Sequence, residues 1–259
     1  MSLCLRFAVL LASLLCAGSV FAEDFKAPKG VVELFTSQGC ASCPPADATF
    51  GQLVAQGDIV ALSYHVDYWN YLGWNDTLSS KDNTERQYGY AKTLGRSGVY
   101  TPQAIINGRD HVKGTDLTAI DAKVDQMNQA GKGLIVPVTA SMHGDEIQIQ
   151  IGEAHGLGQA EVVVAYFTKK QKIEVTKGEN SGKSMEYWNS VSDVQSVGMW
   201  DGKSMTLTLP GKNMGKSKKD GCAILLQTSG PSGEPAAILG ATVMMAGRKK
   251  DDDTGPLKP

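Results

Sequence analysis

Beyond its first two dozen residues this chain has no long apolar run, and it carries no excess of charge of one sign. The apolar stretch from Phe7 to Ala17 is too short to span a bilayer as a helix, which takes about 20 apolar residues. Lys and Arg number 25 against 27 Asp and Glu, a net charge of -2. That balance is too small and too mixed to suggest nucleic acid or an anionic membrane as partner. Histidine is scarce, and His111, His143 and His155 show no mutual spacing of metal-ligand type. The Gly-rich segment KGENSGKS (177–184) lacks the spacing and the strand–helix context of a phosphate loop, so it reads as a turn. Cysteine is nearly as rare, with five in 259 residues.

Two of those five fall in a leader. Residues 1–22 read as a secretory signal, with Arg6 in the positive segment, Phe7 to Ala17 as the apolar core and Val20-Phe21-Ala22 as the cleavage site. Its removal takes Cys4, Cys16 and Arg6, leaves Cys40, Cys43 and Cys222, and moves the net charge to about -3. The expected mature chain is about 237 residues, one large or two modest domains. It should be periplasmic or secreted and free of the membrane after cleavage, in a compartment where a reactive cysteine pair can be substrate or catalyst.

From residue 23 to about 132 strands and helices alternate. Val31–Phe35 and Ile59–Val66 read as strands, the second buried by its near-continuous apolar character. Phe50, Leu53 and Val54 lie at helical spacing after Cys43, with Gly57 as the stop. A polar helix is expected near Asn83–Leu94. Gln103–Asn107, the Asn107-Gly108 turn and Asp110–Lys113 form a hairpin, and Leu117, Ile120, Val124 and Met127 mark a closing helix. This pattern predicts an α/β domain with helices over a small mixed sheet. Past Gly133 the pattern changes to short alternating runs such as EIQIQIG, AEVVVAYF and CAILLQT, which predict an antiparallel β-sandwich-like domain over 133–246. The tail, 247–259, is charged and lacks apolar anchors, so it is expected to be disordered.

The chemistry centres on Cys40-Ala-Ser-Cys43, placed where the first strand turns into a helix. At a helix N-terminus, free N–H groups and the macrodipole favour a thiolate, and cysteines so placed can have pKa values of roughly 3.5–7.5. A structural bridge is one alternative, although closing so short a loop stabilises by only about 2 kcal/mol. A metal is another, although a closed zinc site wants four ligands and only Cys222 and scattered histidines remain. Cys222, within CAILLQT, reads as a buried, inert strand residue. His65, at the end of the second strand, should lie near the cysteines in the binding crevice, to pair with the thiolate or a metal or else to be hydrogen-bonded structurally. Tyr68 and Trp69 follow it in the aromatic loop DYWNYLGWND, where they could line a peptide-binding wall or pack as core.

A strand–CxxC–helix followed some sixty residues later by Thr-Pro, a hairpin and a last helix resembles the thioredoxin superfamily. TPQAIINGRDHVKG is similar to the corresponding glutaredoxin-type segment. The resemblance implies an α/β thioredoxin-like domain in which Pro102 is cis and lies against the cysteines, with the backbone of Thr101 pairing with a bound peptide. It also implies that Glu33, a carboxylate inside the first strand, takes the place of the acid that moves the second cysteine's proton. More narrowly, ELFTSQGCASCPPAD, YHVDYWNYLGW, YTPQAIING and KGENSGKSMEYWN resemble a family of secreted bacterial thioredoxin-like proteins catalogued as a domain of unknown function.

The resulting expectation is an exported thiol–disulfide oxidoreductase. Cys40 is its attacking sulfur, Cys43 its resolving sulfur and Glu33 its proton carrier. Thr101, Pro102, His65, Tyr68 and Trp69 hold a protein or peptide partner that carries a thiol or disulfide. No metal or organic cofactor is required. Two alternatives use the same residues: a copper-handling chaperone, since soft thiolates suit Cu(I), and a non-catalytic binding module.

Overall fold

A computed structural model describes residues 27–211 and 219–246; the expected leader (1–22) and tail (247–259) lie outside the described residues. Strand β1 (Val31–Thr36), helix α1 (Pro44–Gln56) and strand β2 (Val60–His65) open the chain. The two strands run parallel, from Val31↔Val60 to Thr36↔His65. Every residue of both is buried, so their apolar side chains fill the core on both faces and the polar ones, Glu33, Thr36, Ser63 and His65, must find partners inside. Helix α2 (Lys81–Thr93) follows, with the Ser80 hydroxyl accepting the Asn83 N–H at its start. Strand β3 (Gln103–Ile106) lies antiparallel beside β1 and turns into β4 (Asp110–Lys113). The turn residues Asn107 and Gly108 have φ of 48° and 62°, the paired positive angles of a type I′ hairpin. Helix α3 (Leu117–Gln129), capped by Asp116, packs Ile120, Val124 and Met127 on the α1 side of the sheet.

The second half comprises β5 (Val138–His143), β6 (Glu146–Ile151), β7 (Ala160–Glu174), β8 (Ser184–Trp200), β9 (Met205–Pro210), β10 (Gly221–Ser229) and β11 (Pro235–Met245). Strand β8 hydrogen-bonds to β2 at Ser63↔Ser190, and the result is one eight-stranded mixed sheet, β11-β10-β7-β8-β2-β1-β3-β4. Strands β5, β6 and β9 form a separate three-stranded antiparallel sheet. The sequence change near residue 133 is therefore not a break in the sheet.

Alternate residues of β7 and β10 serve different cores, as the two-residue period of a strand requires. Val162, Val164, Ile224 and Leu226 pack against Ile147, Ile149 and Ile151 of the small sheet, giving the two-layer packing expected here. Val163, Ala165, Phe167, Ala223 and Leu225 instead join Phe35, Tyr64 and Tyr90 of the first half in a common core. Among the described residues no helix is long and apolar enough to cross a membrane.

Candidate active site around the Cys40–Cys43 disulfide

Cys40 and Cys43 are joined as a disulfide, with Cα atoms 5.4 Å apart. The helix opens three residues later than the sequence suggests. Cys40 sits in a turn, its N–H bonded to Ser37 C=O (3.2 Å), and Cys43 is the N-cap of α1. Pro44 and Pro45 fill the first two helical positions and have no N–H to offer. The next two N–H groups, of Ala46 and Asp47, go to Cys43 C=O at 2.8 and 3.1 Å. Both cysteines are buried, and the exposed residues of the turn are Ala41 and Ser42. Cys40 is thus neither at an exposed helix end nor served by free helix amides.

Hydroxyl groups serve the sulfur instead. Thr101 Oγ1 donates to Cys40 Sγ at 3.2 Å, and Ser42 Oγ lies 3.4 Å from the same atom. The Trp69 indole N–H donates to Thr101 Oγ1 at 2.8 Å. That bond occupies a hydroxyl lone pair and leaves the hydroxyl proton for sulfur. The Thr101-Pro102 peptide bond is cis, and Ser42 Oγ reaches Thr101 C=O at 3.5 Å. Thr101, Pro102 and Trp69 are thereby gathered against Cys40. Tyr68 stands behind this group, its ring 5.9 Å from that of Trp69 between centroids and its hydroxyl shared between the Thr101 side chain and Gln87 Oε1 of α2, the latter at 3.2 Å.

Two residues expected at this site belong to other places. Glu33 projects from the face of β1 opposite to Val32 and Leu34, which pack with α1 and α3. Its carboxylate pairs with Arg86 Nε at 2.8 Å and accepts the Tyr90 hydroxyl, while Arg86 Nη2 bonds Gln227 Oε1 at 2.9 Å. The guanidinium lies 5.4 and 5.2 Å from the ring centres of Tyr64 and Tyr90. Glu33 is therefore one half of a buried ion pair that ties β1 to α2 and β10, and α1 with its cysteine lies on the far side of β1. His65 is fully buried, with Nδ1 held 2.8 Å from Asp76 Oδ2 and Tyr187 edge-on at 4.5 Å between ring centroids. It offers no surface to a bound chain.

The acid on the cysteine's side is Asp47, one helical turn after Cys43. Thr36 Oγ1 donates to Asp47 Oδ1 at 2.7 Å, whereas Oδ2 is buried without a partner. Burial pushes the Asp47 pKa up to about 7, against a downward pull from the charge of His65. Burial also opposes charge on His65, but the negative charge of Asp76 outweighs it and holds the imidazole above its usual value. Asp76 is held below the carboxylate range despite its burial, by His65 and by the N–H groups of Gln38 (2.7 Å) and Leu78 (2.8 Å). Asp47, His65 and Asp76 are therefore three buried, mutually coupled titratable groups, and the Gln38 N–H ties Asp76 to the turn that carries Cys40.

The KGENSGKS segment contributes more than a turn. It is the tip of the β7–β8 hairpin, and Asn180 there is buried. The Asn180 side-chain amide donates to both Gln38 C=O and Cys40 C=O at 2.9 Å, and Lys183 Nζ holds its Oδ1 at 2.7 Å. Gly178, at φ 73°, fits where a Cβ would stand 3.2 Å from Trp74 Cβ. Sequence reading missed Asn180 because nothing local relates it to a cysteine 140 residues earlier. Asp47 left a signal, since its i+4 spacing from Cys43 puts both on one face of a helix. Among the described residues no group of three or more His, Cys, Asp or Glu side chains is arranged to hold a metal ion.

The family model described as protein of unknown function (DUF1223) matches residues 31–227. The crystal structure of a structural-genomics target protein from Agrobacterium tumefaciens is 58% identical, covers 86% of this chain and 97% of its own, and superposes with a TM-score of 0.79. HBP35 of Porphyromonas gingivalis is 15% identical over 91% of this chain and 80% of its own, with a TM-score of 0.61, a likeness of fold. No curated protein matches.

Proposed function

The chain belongs to the DUF1223 family, and we propose that it is an exported thiol–disulfide oxidoreductase built on a thioredoxin-like arrangement of β1, α1, β2, β3, β4 and α3. The observation that carries this reading is the hydrogen-bond chain from the Trp69 indole through the Thr101 hydroxyl to Cys40 Sγ. A structural bridge has no use for a donor aimed at one of its sulfurs. A sulfur that must bear charge as a thiolate does, because a charge-assisted hydrogen bond is roughly twice as strong as a neutral one.

In the reduced protein the Cys40 thiolate attacks a substrate disulfide, forms the mixed disulfide and releases one substrate thiolate. Cys43 loses its proton to Asp47 and attacks Cys40 Sγ. The Cys40–Cys43 bond forms, and the second substrate thiolate leaves with both electrons. The reverse sequence transfers a disulfide to a substrate dithiol. An acid with a pKa about 7 is ionised often enough to accept a proton and protonated often enough to return one.

Exchange between the reduced protein and a peptide disulfide, followed from pH 5 to pH 9, tests this. Cys40→Ser should abolish exchange, and Cys43→Ser should trap the mixed disulfide. The rate of resolution should rise through about pH 7, an inflection that Asp47→Asn should remove. Undiminished exchange in Cys40→Ser would overturn the proposal.

A further inference from the structure

A groove of about 720 Å³ runs between α1 and the first residues of β8 and begins beside the disulfide at Pro44. One wall is a stripe of small α1 residues at helical spacing, Ala48, Gly51 and Ala55; the other carries Met185 and Trp188. Gly51 is required there, because a Cβ would stand 2.7 Å from Trp188 Nε1. Asp47 also lines the groove, and its Oδ2 is the buried carboxylate oxygen without a partner.

The strand wall has unused hydrogen-bonding groups. Val175 N–H donates to Lys183 C=O at 3.0 Å, so residue 183 faces β7. The alternation of an antiparallel ladder then sends the N–H and C=O of Ser184 and Glu186 to the opposite edge. It is on this edge that Ser63 Oγ reaches Trp188 C=O at 2.8 Å. The backbone ladder between β8 and β2 is the single pair Ser63↔Ser190, beside which Asn189 Nδ2 donates to Ala61 C=O at 2.9 Å. Among the described residues, nothing pairs with the outward groups of Ser184 and Glu186.

We propose that this groove binds an extended polypeptide segment, which adds a short strand to the outer edge of β8 and is thereby led to the Cys40–Cys43 turn. An edge strand is a template for another chain. Main-chain hydrogen bonds supply the affinity in such augmentation, and pockets for alternate side chains supply the selectivity. The outward groups of Ser184 and Glu186 repeat at the two-residue period of an extended backbone. The small-residue wall of Ala48, Gly51 and Ala55 leaves room for one apolar side chain of that segment. The groove reaches Pro44, the residue after Cys43, so its end lies next to the cysteine turn. This rests on the oxidoreductase reading for its purpose, but binding is measurable apart from it.

The probe is a fluorescein-labelled ten-residue Val/Thr peptide with one apolar residue at its centre, titrated into the oxidised full chain and followed by anisotropy. N-methylation at alternate backbone positions of the same peptide should weaken binding roughly tenfold, as two lost net hydrogen bonds imply. Glu186→Pro deletes an outward N–H without touching the β7 ladder and should weaken it comparably. Ala48→Phe should block the groove by filling it. Melting temperatures of both variants check that they fold. Binding that ignores both N-methylation and Glu186→Pro, or that survives Ala48→Phe in a folded protein, would overturn the proposal. Exchange of the unaltered protein with a small aromatic disulfide is assayed in parallel. Its failure alongside intact peptide binding would sink the oxidoreductase reading and leave the groove standing.

Discussion

Thr101 Oγ1 accepts a hydrogen bond from the Trp69 indole N–H and donates one to Cys40 Sγ, so its orientation is fixed from one side and used on the other. Thr101→Val keeps the shape and deletes the donor. In the reduced protein, brief alkylation near pH 6 should label Cys40 first, and Thr101→Val should slow that labelling several-fold while Thr101→Ser restores it. Cys222 should stay unlabelled, because it is fully buried in β10 and burial pushes its thiol up to about 12. Mass-spectrometric mapping reads all three outcomes, and preferential labelling of Cys43 or Cys222 would remove Cys40 from its assigned role. At this scale the sequence was informative wherever chemistry is carried by neighbours. The pair Cys40 and Cys43, and Thr101 with Pro102, could be named from spacing and resemblance alone. Glu33 could not be assigned, because which face of β1 it occupies depends on partners from α2 and β10.

Strand β1 shows how an element sorts its residues. Thr36 turns to Asp47, while Glu33, two residues from Phe35, joins Phe35's face and finds Arg86 there. Removing one partner of a buried ion pair strands the other charge, at about 3–5 kcal/mol. Glu33→Gln should therefore lower the midpoint of urea unfolding strongly, yet leave the pH dependence of disulfide exchange unaltered in the folded protein. A change in the exchange profile without loss of stability would return Glu33 to the chemistry. The elements of the first half were legible because each is either apolar throughout or periodic, and their ends carry Gly, Asn-Gly or a Ser cap. Strand β8 was not. Its seventeen residues mix eight polar with eight apolar or aromatic side chains and one glycine, with no alternation sustained from end to end, and it is held in place by β7 along its whole length. Pairing of that kind leaves no hydrophobic pattern to read.

For the molecule as a whole, the buried charges near the disulfide tie stability to pH. The folded-state pKa of Asp47 is raised from 3.8 to about 7, so between those values the folded protein binds more protons than the unfolded chain. The contribution is complete below about pH 4 and is lost as pH rises through about 7, an effect on the order of a few kcal/mol. Asp47→Asn carries no such charge. Its stability relative to the parent should therefore improve steadily from pH 4 to pH 8 in chemical unfolding series. A constant difference across that range would mean that Asp47 is not held neutral in the fold.

Asn180 follows Cys40 by 140 residues, and that interval sets a chronology. Once the chain has been made as far as α3, both sulfurs, Thr101 and Trp69 exist, yet the side-chain amide that joins the carbonyls of Gln38 and Cys40 does not. Only when the β7–β8 hairpin has been made and has swung back across the turn are they joined. Synthesis of one distant amide thus completes the hydrogen bonding of a turn laid down 140 residues earlier.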